Sequence, residues 1–246
     1  MLVWPLAAAF LCVYFNFNIF TAGILFYSMP AIYLTFKCSG ERKKIFWISA
    51  AWALVWLSFD YFWETNRAWV VNSAFDYRLF GVISVEMIGF AIVWPYLIIT
   101  FYEYFVERDG KREKTRRGGW KLLEAGGLIF GVIALYELLM PRPLKFTYSY
   151  LIMGVLFLIP TLVILYKFPR LLRKFLAISI YFFYQALIIE IVGLSLGYWS
   201  FPTESGYIGQ VAILGYRFPL EELLLWMAFS TVIILSIYEF FDDDRK

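Results

Sequence analysis

The sequence predicts an all-α polytopic membrane protein of about seven transmembrane helices, built from two parallel three-helix repeats and a linking helix. Of its 246 residues, 62% are apolar and only 17% are charged, whereas soluble domains average about 45–50% apolar and about 25% charged residues. A membrane-spanning helix needs about 20 apolar residues. The apolar residues of this chain are therefore numerous enough for about seven spans.

Seven apolar stretches, separated by charged segments, predict the membrane-spanning helices. They comprise residues 17–36, 45–63, 80–105, 122–140, 147–168, 175–197 and 219–241. Residues 2–15 are also apolar but are too short to cross a bilayer alone. This segment either extends the first helix or lies at the membrane interface, so the number of spans lies between six and eight.

The basic residues are distributed unevenly between the two sides of these spans. Seventeen of the 22 lysines and arginines fall on one side, and by the positive-inside rule this is the cytosolic side. We therefore expect the chain in the cell membrane, with its N-terminus outside and its C-terminus in the cytosol. We interpret the basic runs as topology signals, so nucleic acid is not an expected partner. Self-association into a homo-oligomer is left open.

The composition also excludes several kinds of chemistry. The chain contains no histidine, which removes imidazole acid–base catalysis and the commonest transition-metal ligand. Its two cysteines, Cys12 and Cys38, show no metal-binding or redox spacing. We therefore expect no metal site in this protein.

The two halves of the chain repeat at a spacing of about 130 residues. Pro30 and Pro160 stand at matching places within apolar segments, and the halves close on nearly the same tetrapeptide, at residues 102–105 and 238–241. Each repeat contains three spans, and a single span between them restores the original direction, so the repeats are expected to be parallel. The chain then divides into a first repeat (1–105), a basic loop with the linking helix (106–146) and a second repeat (147–246).

Acidic residues recur at matching places in the two repeats. Asp60 lies nine residues before Trp69, and Glu190 lies nine residues before Trp199. Further along, each repeat has an arginine followed by one or two glutamates near the start of its third span. These residues are Arg78 and Glu86 in the first repeat, and Arg217, Pro219, Glu221 and Glu222 in the second.

Acidic residues inside membrane spans raise the free energy of insertion, and they therefore mark a candidate functional site. Each ionisable residue costs at least about 2.5–3.5 kcal/mol on insertion scales. In a low dielectric a carboxyl group can stay protonated and act as an acid, and aromatic rings nearby attract cations. This combination suits proton-initiated carbocation chemistry on a hydrophobic polyene. We expect five acids to converge on one apolar cavity in the outer half of the membrane: Asp60, Glu86, Glu190, Glu221 and Glu222.

The two adjacent glutamates are expected to carry the proton chemistry in different roles. Neighbouring residues on a helix point about 100° apart, so only one of them faces the substrate squarely. Arg217, one helical turn before Glu221, favours the ionised form of Glu221. Glu222 lacks that partner and lies deeper in the span. We predict that Glu222 is the acid and that Glu221 is the base or an orienting group.

This ordered set of motifs resembles that of the small membrane-embedded lycopene cyclases, the heterodimeric bacterial type and its fused archaeal and fungal relatives. In that family each copy has an acid in the second helix followed nine residues later by tryptophan. A Pro-x-Glu-Glu motif then opens the third helix, and Tyr-Glu lies near its end. Residues 219–222 and 238–239 fit both motifs, and the two tandem copies resemble the fused form.

The resemblance implies redox-neutral cyclisation of an acyclic carotenoid end group, with a hydrophobic polyene as substrate and the lipid bilayer as surroundings. No Gly-x-Gly-x-x-Gly fingerprint is present, so no flavin or other cofactor is expected. The implied catalytic residues are Glu221, Glu222, Glu86, Asp60 and Glu190. The candidates for substrate binding are Trp69, Trp199, Arg217, Arg78 and Pro219.

The chain departs from the family pattern in two places. The first copy has Ser84-Val85-Glu86-Met87 where the family has Pro-x-Glu-Glu, and Glu190 stands where the family has aspartate. These departures are compatible with one catalytic centre instead of two, or with a different substrate.

Two other functions remain open on the sequence alone. A membrane prenyltransferase-like enzyme needs clustered aspartates to hold magnesium diphosphate, and the only such cluster is residues 242–244, in the polar tail. A non-catalytic transporter or binding protein of the same ancestry would hold a polyene without changing it. Product analysis in lycopene-accumulating cells separates a cyclase from both alternatives.

Overall fold

The computed structural model describes residues 1–37, 42–107, 144–202 and 206–242, with scattered residues between 124 and 140. Within these ranges, six helices are long and apolar enough to cross a membrane. They are α2 (Ile19–Lys37), α3 (Arg42–Thr65), α4 (Val85–Phe105), α5 (Ser149–Lys167), α6 (Arg170–Ser195) and α7 (Glu222–Glu239). The prediction of an all-α polytopic membrane fold is confirmed. The predicted linking helix and the basic loop before it lie largely outside the described residues, so a seventh span stays a prediction.

A shorter helix, α1 (Trp4–Phe15), precedes these spans. The chain leaves it at Asn16, which adopts a left-handed conformation with a φ of 49°. The side chain of Asn18 then caps α2 by accepting a hydrogen bond from the amide of residue 21, at 2.9 Å. The Trp4 indole donates to the carbonyl of Leu25, at 2.7 Å, so α1 runs back along α2. The apolar segment 2–15 is therefore a separate helix and does not extend the first span.

The loops between the second and third spans of both repeats lie at one end of the bundle, here called the loop end. Six short strands form in them: β1 (Val70–Val71), β2 (Arg78–Leu79), β3 (Ile83–Ser84), β4 (Trp199–Ser200), β5 (Gln210–Ile213) and β6 (Tyr216–Pro219). β1 pairs antiparallel with β4, and Val70 lies opposite Ser200. These two residues are one repeat spacing apart, so the strands meet across the pseudo-two-fold axis of the duplication. Equivalent loops thus lie at the same end, as parallel repeats require.

Each loop also folds into a hairpin just before its third span. β2 pairs with β3, and β5 pairs with β6. The β5–β6 turn uses left-handed backbone at Leu214 and Gly215, with φ of 51° and 87°, which a tight two-residue hairpin turn demands. The third spans predicted from residues 80 and 219 begin instead at Val85 and Glu222. Strands of two to four residues are too short to show an alternating pattern in the sequence.

The two ends of the linking segment lie at opposite ends of the bundle. Helix α4 runs away from the loop end, whereas residues 144–146 contact the loop end through Asn66. The Asn66 side chain accepts a hydrogen bond from the amide of Phe146 (2.6 Å) and donates one to the carbonyl of Leu144 (3.2 Å). The described residues on the two sides of the linking segment therefore lie at opposite ends of the bundle.

At the opposite end, here called the basic end, the Tyr-Glu pairs of the two repeats form hydrogen bonds with each other. Tyr102 donates a hydrogen bond to Glu239, and Tyr238 donates one to Glu103, at 2.5 Å. The ammonium group of Lys174 lies 3.9 Å from the Glu239 carboxylate. Because both hydrogen bonds join equivalent residues of the two repeats, these recurring pairs hold the third helices α4 and α7 together.

Between its equivalent glutamate and tyrosine, the third span of the second repeat has one residue more than that of the first repeat. Glu86 and Glu221 are 135 positions apart, but Tyr102 and Tyr238 are 136 positions apart. The extra residue is taken up in a π-helical segment, Glu222–Ala228. Such segments are rare and frequently occur at functional sites. The segment begins with the glutamate that the sequence singles out as the acid.

Single-cysteine labelling tests which parts of the chain share a side of the membrane. Tyr77 and Leu214 are 65% and 80% exposed at the loop end, and Tyr166 is 88% exposed near the basic end. In a chain with Cys12 and Cys38 replaced by serine, Tyr77→Cys and Leu214→Cys should react with an impermeant maleimide on intact cells. Tyr166→Cys should react only after permeabilisation, because the basic end is expected in the cytosol. Reaction of the first two variants from different sides would contradict parallel repeats.

Candidate functional site

An aromatic cavity lies between the two repeats and receives side chains from spans of both. Its volume is about 60 Å³, which is room for only a few water molecules. Eight of its sixteen lining residues are aromatic, six are other apolar residues, and two are the acids Glu190 and Glu222. The lining contains no lysine or arginine, so neither carboxyl group has a basic partner in the cavity wall.

Glu222 is buried at the first position of the π-helical segment of α7. Tyr150, near the start of α5, donates a hydrogen bond to its Oε2 atom. This bond ties one carboxyl oxygen to the neighbouring helix while Glu222 still lines the cavity. The side chain is thus held in one orientation, as a group that transfers a proton must be.

Glu190 is the second acid of the cavity and lies on α6, five residues before its end. The indole of Trp199 donates a hydrogen bond to the Glu190 Oε1 atom, at 3.1 Å. The same contact occurs in the first repeat, where Trp69 donates to Asp60 Oδ1, also at 3.1 Å. The nine-residue spacing therefore has one physical meaning in both repeats: a tryptophan beyond the helix end turns back onto the acid. Both tryptophans line the cavity, whereas Asp60 is not among its lining residues.

Glu86 and Glu221 hold the loops instead of facing this cavity. Glu86 accepts hydrogen bonds from the amide of Ala74 (2.5 Å) and the hydroxyl of Ser73 (2.8 Å). Glu221 accepts one from the amide of Ile208, at 2.6 Å. The expectation that all five acids share one cavity is therefore wrong for these two, and also for Asp60, which is not among the lining residues. Adjacent helical residues point about 100° apart, and it is the following residue of each helix, 87 or 222, that lines the cavity.

Arg78 also has a structural role in the loop of its own repeat. Its guanidinium donates to the Glu64 carboxylate at 2.9 Å, and to the carbonyls of Val71 and Val82 at 2.5 and 2.7 Å. These bonds tie the β2–β3 hairpin to the end of α3. Arg78 is not among the lining residues of the cavity, so this geometry does not favour a role in substrate binding.

Arg217 and Pro219 lie on strand β6. The Arg217 side chain is exposed there, and the helix begins only after Pro219. The helical turn that was expected to bring Arg217 beside Glu221 therefore does not exist, because the hairpin occupies those residues. Neither residue is among those that line the cavity.

The two repeats contribute unequally to the site. Trp56 and Trp63 of α3 correspond, one repeat spacing later, to Ala186 and Gly193 of α6. A side chain at Gly193 would meet the Trp199 ring, because an added Cβ would lie 2.3 Å from it. The position after the loop-holding glutamate is methionine in the first repeat and Glu222 in the second. The cavity therefore receives one pair of acids and not two.

Two residues of the site have no specific signal in the sequence. Tyr150 is one of many tyrosines near helix ends, where such residues form the usual interfacial belt. Trp226 likewise stands within a continuous apolar run. Glu64 lies outside the cavity lining, where it binds Arg78.

Comparison with known proteins finds no matching family model, no similar curated protein and no similar solved structure. The function must therefore be inferred from the chemistry of the site. That chemistry consists of two buried carboxyl groups, each oriented by one neutral donor, in an enclosure of indole and phenyl rings.

Proposed function

We propose that this chain is an acid-catalysed cyclase of an acyclic isoprenoid polyene, with a carotenoid end group of the lycopene type as substrate. The observation that carries the proposal is that Glu190 and Glu222 share a cavity whose other lining residues are aromatic or apolar. An enclosure of this kind lets a carboxylic acid deliver its proton to a carbon–carbon double bond without competition from bulk water.

The reaction needs one acid and one base. Glu222 donates its proton to the terminal double bond of the end group, which leaves a carbocation on the neighbouring carbon. A double bond further along the chain attacks this cation and closes the ring, and the resulting ring cation loses a proton to the Glu190 carboxylate. One proton enters and one leaves, and no electrons are transferred. A proton passing from Glu190 to Glu222 across the shared cavity restores the starting state.

The base in this proposal is Glu190 and not Glu221. Glu221 accepts a hydrogen bond from a loop amide, whereas Glu190 lines the same cavity as Glu222. The Trp199 indole that donates to Glu190 supports a carboxylate there without neutralising its charge. This arrangement leaves the acid and the base on two different helices, α7 and α6, facing one substrate.

The aromatic rings stabilise the cationic intermediates. A cation over an indole face gains about 0.5–1 kcal/mol at an exposed site and about 2 kcal/mol or more where water is excluded. Trp69, Trp199 and Trp226 all line the cavity, so several faces are available to the ring cation. The same rings exclude water, which would otherwise capture the cation as an alcohol.

Expression in bacteria that accumulate lycopene tests the proposal directly. We expect monocyclic or bicyclic carotenoids in the extract, of the same mass as lycopene, because the reaction is redox-neutral. Unchanged lycopene that co-purifies with the chain would contradict the cyclase and favour the non-catalytic binding protein. Products with an added isoprenoid unit would favour the prenyltransferase-like alternative instead.

A further inference from the structure

A second cavity, of about 20 Å³, lies on the other side of three tryptophans of the first. Trp52, Trp56 and Trp226 line both cavities. The second cavity is bounded further by α5 and α7, where its lining includes Gly154 and Leu225. A wall of aromatic side chains, one residue thick, therefore separates the space beside Glu222 from the space beside α5.

The wall is formed chiefly by one pair of rings. The ring centroids of Trp56 and Trp226 lie 3.8 Å apart, with the planes inclined by 38°. Trp226 belongs to the π-helical segment Glu222–Ala228, whose extra residue distinguishes α7 from α4. A single-turn insertion of this type changes the direction of the side chains that follow it. Trp226, one of the two rings of the wall, thus lies in the same π-helical segment as Glu222.

The second cavity is lined by α5, the least buried of the six described spans. Only 28% of the membrane-spanning residues of α5 are buried inside the bundle, the lowest share among the six described spans. Gly154 brings α5 close to α7, since an added Cβ there would lie 2.4 Å from the Leu225 side chain. Because α5 lines this cavity and is the least buried of the described spans, a hydrophobic chain that passed through the cavity would reach the bilayer along α5.

The free volume beside the acids is too small for an isoprenoid end group, because it holds only a few water molecules. The space on the far side of the tryptophan pair is the adjoining volume, and it is apolar. We infer that Trp56 and Trp226 form a movable partition: when it opens, the two cavities merge, the end group lies beside Glu222, and the remaining chain extends along α5 into the bilayer. This inference rests on the proposed function for the class of ligand.

A photoreactive isoprenoid tests the path of the chain. The probe is an acyclic C20 isoprenoid alcohol with a diazirine on the end remote from its reactive double bond, incorporated into liposomes with the full-length protein. We expect adducts on the peptides that contain Phe157 and Leu225. Adducts on the separate apolar groove of about 590 Å³ near Met29, Tyr33 and Tyr104 would overturn the inference, as would the absence of adducts from both places.

Variants of the partition sharpen the test. If the open state is populated at about 10%, then Trp226→Ala should raise labelling at low probe concentration by about tenfold. Trp47→Ala is the matched control, because Trp47 lies on the same helix as Trp56 but is 58% exposed. Trp226→Leu replaces the alanine variant if that chain does not fold. Unchanged labelling in the folded partition variant would overturn the inference.

Labelling tests the path of the chain, and product analysis tests the cyclase, so either proposal can fail without the other. Adducts along α5 without any cyclised product would uphold the path of the chain and contradict the cyclase. Cyclised product with adducts only in the other groove would uphold the cyclase and contradict the partition.

Discussion

Replacing Glu222 by glutamine is expected to lower the rate of ring formation by at least about 100-fold, the low end for loss of a general acid, while the fold remains intact. Glutamine keeps the size of the side chain and an oxygen that accepts the hydrogen bond from Tyr150, but it has no transferable proton. The rate of product formation per amount of purified protein measures the effect, and thermal unfolding in detergent checks the fold.

Glu239→Gln is the matched control for this variant. Glu239 is a buried glutamate on the same helix, and it also accepts a hydrogen bond from a tyrosine, Tyr102. It lies at the basic end, away from the cavity, so the same substitution should leave cyclisation unchanged. A Glu222→Gln protein that cyclised lycopene at the wild-type rate would remove Glu222 from the mechanism.

Tyr150→Phe distinguishes orientation of the acid from proton transfer by the acid. It removes the donor to Glu222 and leaves the carboxyl group in place, so we expect a smaller loss, of about tenfold. That corresponds to about 1.4 kcal/mol, within the usual range of about 0.5–1.5 kcal/mol for the net contribution of a hydrogen bond. If Tyr150→Phe were as damaging as Glu222→Gln, the tyrosine itself would be the proton donor.

The fold was largely predictable from the sequence because the bilayer restricts the choice of structure. Long apolar runs in a membrane form helices. The charge asymmetry and the 130-residue repeat can each be recognised from a few residues of the sequence. The hairpins before Val85 and Glu222 were not predictable, because their pairing depends on contacts between distant residues. The course of α1 was equally undetermined, since a 12-residue apolar helix can pack inside a bundle or lie at an interface.

The types of residue in the site were predictable from the sequence, but the directions of their side chains were not. Sequence reasoning identified both acids of the cavity, together with Trp69 and Trp199, because acids in apolar spans are rare. It also placed Glu86 and Glu221 there, and these residues bind loop amides instead. Glu221 and Glu222 are adjacent on a helix and therefore point about 100° apart. The hairpin before the helix determines which of the two faces the cavity. The assumed ion pair of Arg217 failed for the same reason.

Glu190→Gln should also lower the rate of ring formation by at least about 100-fold, whereas Asp60→Asn should lower it by less than about fivefold, or about 1 kcal/mol. The internal repeat makes these two substitutions a matched pair. Each acid lies at the same place in its repeat and accepts a hydrogen bond of 3.1 Å from a tryptophan nine residues later. Each amide variant keeps that acceptor oxygen.

The expected difference follows from what each acid faces. Glu190 lines the cavity together with Glu222, while Asp60 is not among the lining residues, and the first repeat has Met87 where the second has Glu222. A base must lie within reach of the proton that it removes, and of these two acids only Glu190 lines the cavity. The rates should be measured on purified protein in lycopene-containing liposomes, with thermal unfolding as the check that both variants fold.

The outcomes of this pair decide how many catalytic centres the chain contains. Asp60 is buried, and its second carboxylate oxygen has no hydrogen-bond partner among the described residues. The Asp60→Asn protein is therefore expected to unfold at a temperature close to that of the wild type, because the substitution exchanges one buried polar group without a partner for another. If Asp60→Asn reduced turnover as much as Glu190→Gln at equal folded fraction, both repeats would take part in proton transfer. If neither variant reduced it, the ring cation would lose its proton to a group other than Glu190, and the two-carboxylate mechanism would be wrong.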